Sequence, residues 1–468
     1  MIPIATPQEM AAIDRAAPER QEVLVGRAGA AVARAAGALL GGHYGRRVVV
    51  VAGKGNNGAD GRDAAERLRR RGVRVKVLDA RDAPRRLPEA DLVVDAAYGT
   101  GLRGDYVAPD PGGAPVLAVD IPSGVDGLTG AACPGAVRAD RTVTFAALKP
   151  GLVLFPGRAR AGAVVVADIG LDVSSVRAHR VELGDVASWL PDRPADAHKW
   201  QRAVWLVAGS PGMAGAATLA ARAAQRAGAG YVRLSIPGAA PGEGAPVEAV
   251  ATALAARGWD GEVLADLHRF GAMVIGPGLG RANAAEVRRV VSKAGVGKAG
   301  VGKAGVSKAG VSKAGVAVVV DGDGLRALGR VTGPVGAGAV VLTPHDGEYE
   351  SLMGARPDDD RLGAARRLAA ASGAIVVLKG PTTVVARPDG AVLVVDLGDA
   401  RLATAGTGDV LSGLLGALLA GGVDPFRAAG AAALLHARAG ALGLRRGLVA
   451  GDLPDLIARA VAELPEHR

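Results

Sequence analysis

Cysteine is almost absent from this chain. Its 468 residues include one, Cys133, which excludes an intramolecular disulfide and a cysteine-built zinc site and fits a reducing compartment. Aromatic residues are scarce, at 3%. With 70 glycines and 49% hydrophobic residues, the core has to be packed from Ala, Val and Leu. Lysine is rare outside one stretch. Five of the ten, Lys293, Lys298, Lys303, Lys308 and Lys313, lie in tandem Ser/Gly-Lys-Ala-Gly-Val pentapeptides at 292–316. Without them the net charge of +10 falls to +5, and no nucleic-acid-binding motif accompanies the rest, so no specific nucleic acid is expected. Long apolar runs are missing too. The most apolar tract, 410–423, is too short to span a bilayer and is followed at once by Asp424, Pro425 and Arg427. The N-terminus has no basic stretch leading into an apolar run. A soluble, cytoplasmic protein without a membrane partner is expected.

What is present is alternation. Short β-branched runs alternate with Ala/Leu/Arg-rich stretches in both halves, the pattern of α/β layers. Strands are expected at 47–52, 73–78, 92–95, 116–120, 141–145 and 163–168. In the second half they are expected at 203–208, 231–236, 272–275, 317–321, 339–342, 374–378, 383–386 and 392–395. Length alone argues for two or three domains. The expected arrangement is two three-layer αβα domains, 1–175 and 196–468, joined by a polar linker at 176–195. The pentapeptide repeat reads as a mobile surface loop, because a glycine every fifth residue weakens a helix. The alternative is a basic arm that attracts polyanions without reading sequence.

In the first half, the run at 48–51 leads into Gly53-Lys-Gly55-Asn56-Asn57-Gly58-Ala59-Asp60-Gly61 and then a helical stretch. Strand, Gly/Asn loop and helix N-terminus make an anion cradle. The spacing is neither the dinucleotide G-x-G-x-x-G nor a P-loop. Two further strand ends carry Asp95-Ala-Ala-Tyr98-Gly99-Thr100-Gly101-Leu102 and Asp120-Ile-Pro-Ser123-Gly124. Three glycine-flanked strand ends with Asp or Asn imply one shared pocket, since open α/β sheets bind ligands at the carboxyl ends of strands.

These runs, with Ala139-Asp-Arg-Thr-Val-Thr-Phe and Lys149-Pro-Gly, resemble the NAD(P)H-hydrate epimerase domain over most of residues 1–172. The resemblance implies a Rossmann-like fold and a potassium ion at Asn57, Asp95 and Ser123. It implies substrate contacts from Asn56, Asn57, Gly58, Ala59, Asp60, Gly99, Thr100, Gly101, Leu102, Arg103, Gly104, Asp105 and Asp120. Asp120 becomes the acid/base for epimerisation at the hydrated ring carbon. Ala59 stands where the family usually has Gly, so crowding of the phosphate approach is expected there.

In the second half, Ala403-Thr-Ala-Gly406-Thr-Gly408-Asp409 opens an apolar helical stretch. Its N–H groups can stabilise phosphoryl charge, and Asp409 can take a proton from an attacking hydroxyl. The same half carries Gly209-Ser210 with Ala216, Gly276-Pro277-Gly278-Leu279-Gly280, Asp321-Gly-Asp323, Thr343-Pro344-His345-Asp346-Gly347-Glu348 and Lys379-Gly380-Pro381-Thr382-Thr383. Together with His198-Lys199 this set resembles the ADP/ATP-dependent NAD(P)H-hydrate dehydratase of the ribokinase-like superfamily, over residues 196–464. The family has Gly where Trp200 stands.

The resemblance implies hydrate binding at Ala216, Gly278, His345 and Asp409. It implies adenine nucleotide binding at Lys379, Gly380, Pro381, Thr382, Thr383 and Gly408. A hydroxyl on a reduced nicotinamide ring leaves poorly until it is phosphorylated, and Asp409 as base serves that step. Mg2+ would be held mainly by phosphate and water. The whole is a bifunctional repair enzyme acting on NADHX and NADPHX with ADP or ATP, expected as a homo-oligomer. The rivals are a ribokinase-like small-molecule kinase and a nucleotide-binding scaffold with a decayed epimerase half.

Overall fold

The computed structural model describes residues 1–101, 104–294 and 315–466. The chain forms two compact units, Ile2–His179 and Arg180–Arg468. Both are α/β with parallel sheets. Each expected strand is present, with ends within about one residue of the expected positions. Ile2–Ile4, Ala178–Arg180 and Val250–Ala251 were not expected, being two or three residues long.

Six parallel strands build the first sheet. Their spatial order is Arg74–Asp79, Arg47–Ala52, Leu92–Ala96, Val116–Val119, Arg141–Phe145 and Ala163–Ala167. Side chains alternate across a strand. Val48 and Val50 therefore pack, with Leu92, Val94 and Leu117, toward the helices Gln21–Leu40 and Asn56–Arg70. Val49, Val51 and Val93 face the other way onto Leu87, Tyr106 and Val137, which come from irregular chain. Both faces are covered, so the strand reads as an unbroken valine run rather than an alternating one. The chain order reverses between Arg47–Ala52 and Leu92–Ala96, which opens a crevice at their carboxyl ends.

Gln21–Leu40 is long and apolar enough to cross a membrane by length and composition. One stripe of it, Ala28, Ala31, Val32, Ala33 and Ala36, is buried within the unit. Gly29 lets the neighbouring helix come close: a methyl there would lie 2.2 Å from Asp63 Oδ2. It is built as a core helix.

In the second unit seven parallel strands run Val250–Ala251, Tyr231–Ser235, Ala203–Val207, Ala272–Ile275, Ala317–Val320, Val340–Leu342, Ile375–Leu378. Thr383–Ala386 and Val392–Val395 continue the sheet antiparallel. Here the order reverses between Ala203–Val207 and Ala272–Ile275. The apolar tract at 410–423 supplies most of the helix Thr407–Ala420, buried on every side from Val410 to Ala420. It can sit there because Gly413 lies against the Ala220 carbonyl, where a methyl would be 2.0 Å from the oxygen.

The expected linker at 176–195 is corrected. It carries the helix Leu183–Trp189, and Val181 and Val186 are buried in the second unit's core beside Leu393. The polar residues misled because only one helical face had to be apolar. The expected loop at 292–316 lies outside the described residues except at its ends, where Lys293 closes the helix Ala284–Lys293.

Candidate active sites

In the first unit a cavity of about 700 Å³ opens at the reversal of strand order. Asn56, Asn57, Asp60, Gly99, Thr100, Gly101 and Asp120 line it, with Asp14, Asp79, Arg81 and Lys149. Gly58, Ala59, Gly104 and Asp105 do not. Gly58 serves packing instead: a methyl there would lie 1.9 Å from the Gly53 carbonyl oxygen. Ala59 lies within the first turn of the helix Asn56–Arg70, its N–H bonded to Gly55 at 3.0 Å. It is absent from the cavity wall. Leu102 and Arg103 lie outside the described residues.

Asp120 follows Val116–Val119 with φ +65°. Its N–H donates to Val143 at 2.7 Å, and Ile121 N–H closes a tight turn onto Val119 at 2.8 Å. This aims the carboxylate into the cavity. Lys149 Nζ donates to Asp120 Oδ1 at 2.6 Å, and Thr144 Oγ1 donates to the same oxygen at 3.0 Å. The Lys149 side chain is 3% exposed. Its ammonium also reaches Thr144 Oγ1, Phe145 O and Ala147 O. Asp60 stands in the same wall. Burial, then the charges of Asp120, Asp63 and Asp14, push its carboxyl up to about 8. Burial likewise raises Asp14.

Asp95 and Ser123 pair with each other and are not part of this cavity's wall. Ser123 Oγ donates to Asp95 Oδ1 at 2.7 Å and Ser123 N to Oδ2 at 2.8 Å. Complete burial pushes Asp95 up to about 6. Asn57 is the second residue of the helix Asn56–Arg70. Both side-chain amide atoms of Asn57 are buried without a hydrogen-bond partner among the described residues. The backbone of Gly99 lies beside it, since a methyl there would be 3.6 Å from Asn57 Cβ and 3.7 Å from Asp120 Oδ2.

In the second unit the centre is Asp321, at the end of Ala317–Val320. It accepts from Lys379 Nζ at 2.9 Å, Thr343 Oγ1 at 2.7 Å and Ser412 Oγ at 2.7 Å. Burial alone would raise Asp321; Lys379 and the two hydroxyls outweigh it and hold the carboxyl low. Lys379 also pairs with Glu348 Oε2 at 3.5 Å. Gly408 faces this cluster, where a methyl would lie 3.5 Å from Lys379 Nζ. Asp409 is in the first turn of Thr407–Ala420, whose N-cap Gly406 has φ +90° and offers no side-chain cap. Burial, then Asp321, Glu348 and Asp323, push Asp409 up to about 7, against the pull of Lys379.

His345 caps the helix Asp346–Met353: its Nδ1 accepts from Gly347 N at 3.0 Å, and its own N–H donates to Glu348 at 2.9 Å. Ala216 and Gly278 meet at the strand-order reversal, where a methyl on Gly278 would lie 2.9 Å from Ala216 Cβ. Gly209 N–H donates to Pro277 O there at 2.7 Å. Gly380, Pro381 and Thr382 form the turn between Ile375–Leu378 and Thr383–Ala386, next to Lys379.

Sequence reasoning gave no role to Lys149, Thr144, Asp321, Glu348, Ser412 or His436. The first five lay inside or beside motifs already singled out; for Thr144 and Asp321 a polar residue in or after an apolar strand was the available signal, and for Ser412 a polar residue in an apolar helix. His436 gave none. It is buried in the helix Pro425–Leu442, and burial holds its imidazole down at about 4.

Comparison with known proteins agrees in both halves. Residues 204–463 match the NAD(P)H-hydrate dehydratase family model. Residues 21–86 and 79–151 match the model described as YjeF-related protein N-terminus. The bifunctional NAD(P)H-hydrate repair enzyme of Moorella thermoacetica is 35% identical, over 90% of this chain and 88% of its own. That of Mycobacterium tuberculosis H37Rv is 39% identical over 84% and 82%, and that of Escherichia coli K12 is 33% identical over 89% and 85%. A Bacillus subtilis ADP/ATP-dependent NAD(P)H-hydrate dehydratase, co-crystallised with ATP/Mg2+, covers 61% of this chain and 98% of its own at 30% identity and a TM-score of 0.48. Relatives of this identity span both units in one polypeptide, and on that ground the chain belongs to the bifunctional NAD(P)H-hydrate repair enzymes.

Proposed function

We propose that the first unit interconverts the R and S hydrates of NADH and NADPH at Asp120, and that the second dehydrates the S hydrate with Asp409 as base. Asp409 accepts the proton of the ring hydroxyl. The hydroxyl oxygen bonds to the terminal phosphorus of ADP or ATP, and the bond from that phosphorus to AMP or ADP breaks. Phosphate then leaves with the C–O electron pair, a proton leaves the adjacent ring carbon, and the dihydropyridine returns. The uncapped N–H groups at Gly406 to Gly408 and the Lys379 ammonium stabilise the transferred charge. Lys379, Gly380, Pro381, Thr382, Thr383 and Gly408 take the nucleotide; Ala216, Gly278, His345 and Asp409 take the hydrate.

The observation that carries this is Asp409: a half-buried carboxyl near 7 in the first turn of a helix, facing a lysine held by two acids. A base poised near the working pH is what proton abstraction needs. Mg2+, when bound, neutralises charge on the phosphoryl oxygens. Among the described residues no trio of His, Cys, Asp or Glu gathers, so phosphate oxygens and water would be its main ligands.

The potassium site is part of the same proposal. A hard monovalent cation takes oxygen ligands; Asn57 Oδ1, buried and without a hydrogen-bond partner among the described residues, would supply one, and Asp95 and Ser123 others. Homo-oligomer formation and a cytoplasmic location belong to it too, and sedimentation of the purified chain measures the first.

The test is optical. Purified protein is mixed with an epimer mixture of NADH hydrate and Mg2+, with ADP, ATP or no nucleotide, and the reduced-nicotinamide absorbance is followed. Full recovery requires both units. A plateau at one epimer means that the first unit is inactive, and a stable phosphorylated product would favour the small-molecule kinase.

A further inference from the structure

The first cavity does not end at the reacting group. It runs across the sheet to the end of Arg74–Asp79, where Asp79, Ala80 and Arg81 line it. Asp79 is level with Ala52 in the parallel register, beside the first strand. From Arg74–Asp79 to Val116–Val119, which leads into Asp120, is three strand spacings, about 14 Å. Two riboses and a pyrophosphate cover such a span.

The direction is set by topology. In a doubly wound sheet the pyrophosphate lies at the first strand–helix turn, here Gly53 to Gly58. In the dinucleotide-binding form of such sheets the second strand, about 20 residues further on, ends where the adenosine ribose lies; the first unit lacks the G-x-G-x-x-G spacing but keeps that strand beside the turn. The nicotinamide end then falls on the other side, toward Asp120 and Lys149. Asp79 stands 21 residues after Gly58 and closes that second strand.

The side chains there are free for a ligand. Asp79 Oδ1 accepts from Arg81 N at 3.0 Å, which fixes the carboxylate, while its second oxygen has no partner among the described residues. The Arg81 guanidinium and the Lys54 ammonium also line the cavity, and neither pairs with any described residue. Lys54 sits at the Gly53–Gly58 turn, beside the expected pyrophosphate.

Resting on the epimerase reading of this unit, we infer that the turn Asp79-Ala80-Arg81 holds the adenosine ribose and makes the first unit prefer the hydrate with a free 2′-hydroxyl, NADH hydrate, over its 2′-phosphorylated counterpart. A fixed carboxylate accepts hydrogen bonds from a ribose diol. It repels a 2′-phosphate, and like charges placed together cost affinity. Arg81 is the latent phosphate partner, overruled by the adjacent Asp79 carboxylate.

The experiment compares wild type, Asp79→Ser and Arg81→Ala. Exchange of R and S hydrates is measured by NMR without ADP or ATP, so that the second unit is idle, for NADH hydrate and NADPH hydrate separately. The wild type is expected to favour NADH hydrate about tenfold or more in kcat/KM. Asp79→Ser is expected to abolish or reverse that ratio, through KM rather than kcat. Arg81→Ala is expected to keep the preference. Equal ratios in wild type and Asp79→Ser, or a wild type that prefers NADPH hydrate, would overturn the inference. If no chain exchanges either hydrate, the epimerase reading fails separately. Calorimetric titration with NADH and NADPH then decides the inference. The second unit is identical in wild type and Asp79→Ser, so any difference between them arises in the first cavity, and unchanged affinities overturn the proposal.

Discussion

The Lys149 ammonium stands 2.6 Å from the carboxylate of Asp120, itself held at φ +65°. A left-handed backbone at a non-glycine residue is uncommon, and it persists only where surrounding bonds over-determine it. Here Val143, Val119, Thr144 and Lys149 do so. Sequence reasoning found Asp120 as an acid at a strand end; its partner came only with the fold.

Breaking that pair has two readable consequences. Lys149→Met leaves Asp120 without its cation in a largely buried setting. The unfolding free energy should drop by about 3 kcal/mol in a urea melt. Epimer exchange should fall about 100-fold or more. Asp120→Asn should stop exchange while S-hydrate dehydration continues, giving a plateau in the absorbance assay.

Asp409→Asn should lower dehydration by about 100- to 10,000-fold, the usual worth of a general base, while nucleotide binding survives. The wild-type pH profile carries the same signature. A base must be deprotonated to act, so kcat should fall as pH drops through about 7, the value to which burial and neighbouring acids push this carboxyl. A flat profile from pH 6 to 8 would remove Asp409 from the proton transfer.

His436 predicts an acid-side loss of stability. In the unfolded chain its imidazole takes a proton near pH 6.5; in the fold it stays neutral to about 4. The unfolded state therefore binds the extra proton between those values. The stability is fully present above 6.5 and is lost as pH falls toward 4. His436→Gln should flatten this part of the Tm–pH curve. Comparing the two proteins at each pH cancels the opposite contributions of Asp60 and Asp409, whose folded carboxyls are raised.

Potassium should support epimer exchange better than lithium or tetramethylammonium. Asn57→Ala should weaken exchange and erase the difference between the cations. A wild type indifferent to the cation would sink the assignment of Asn57, Asp95 and Ser123.

Gly413→Val tests the close approach of Thr407–Ala420 to Gly215–Arg226. Even the first carbon of the new side chain would fall 2.0 Å from the Ala220 carbonyl. The expected cost is about 1–3 kcal/mol or more, read as a lowered Tm and, because the same helix carries Asp409, lost dehydration.

Much of the fold was legible because strands buried on both faces leave valine runs such as 48–51 and 318–320, and because glycines mark their carboxyl ends. The segment at 176–195 was misread because Leu183–Trp189 is short and apolar on one face only. Among the expected site residues, Gly58 and Ala59 share a motif with Asn57 and Asp60, yet a helix turns successive side chains by about 100°, so neighbours in sequence face different ways.

The sequence by itself determined the two α/β units, the glycine-flanked acids Asp95, Asp120 and Asp409, and the family they signal. These are local properties: a run, a spacing, a residue type. The tertiary structure alone decided what those acids face. Lys149 reaches Asp120 across 29 residues, Lys379 reaches Asp321 across 58, and Ser412 reaches Asp321 across 91. A carboxyl's chemistry is set by burial and by the charges within a few ångströms. Those neighbours are brought together by sheet order and helix packing, which leave no mark in the spacing of residues along the chain.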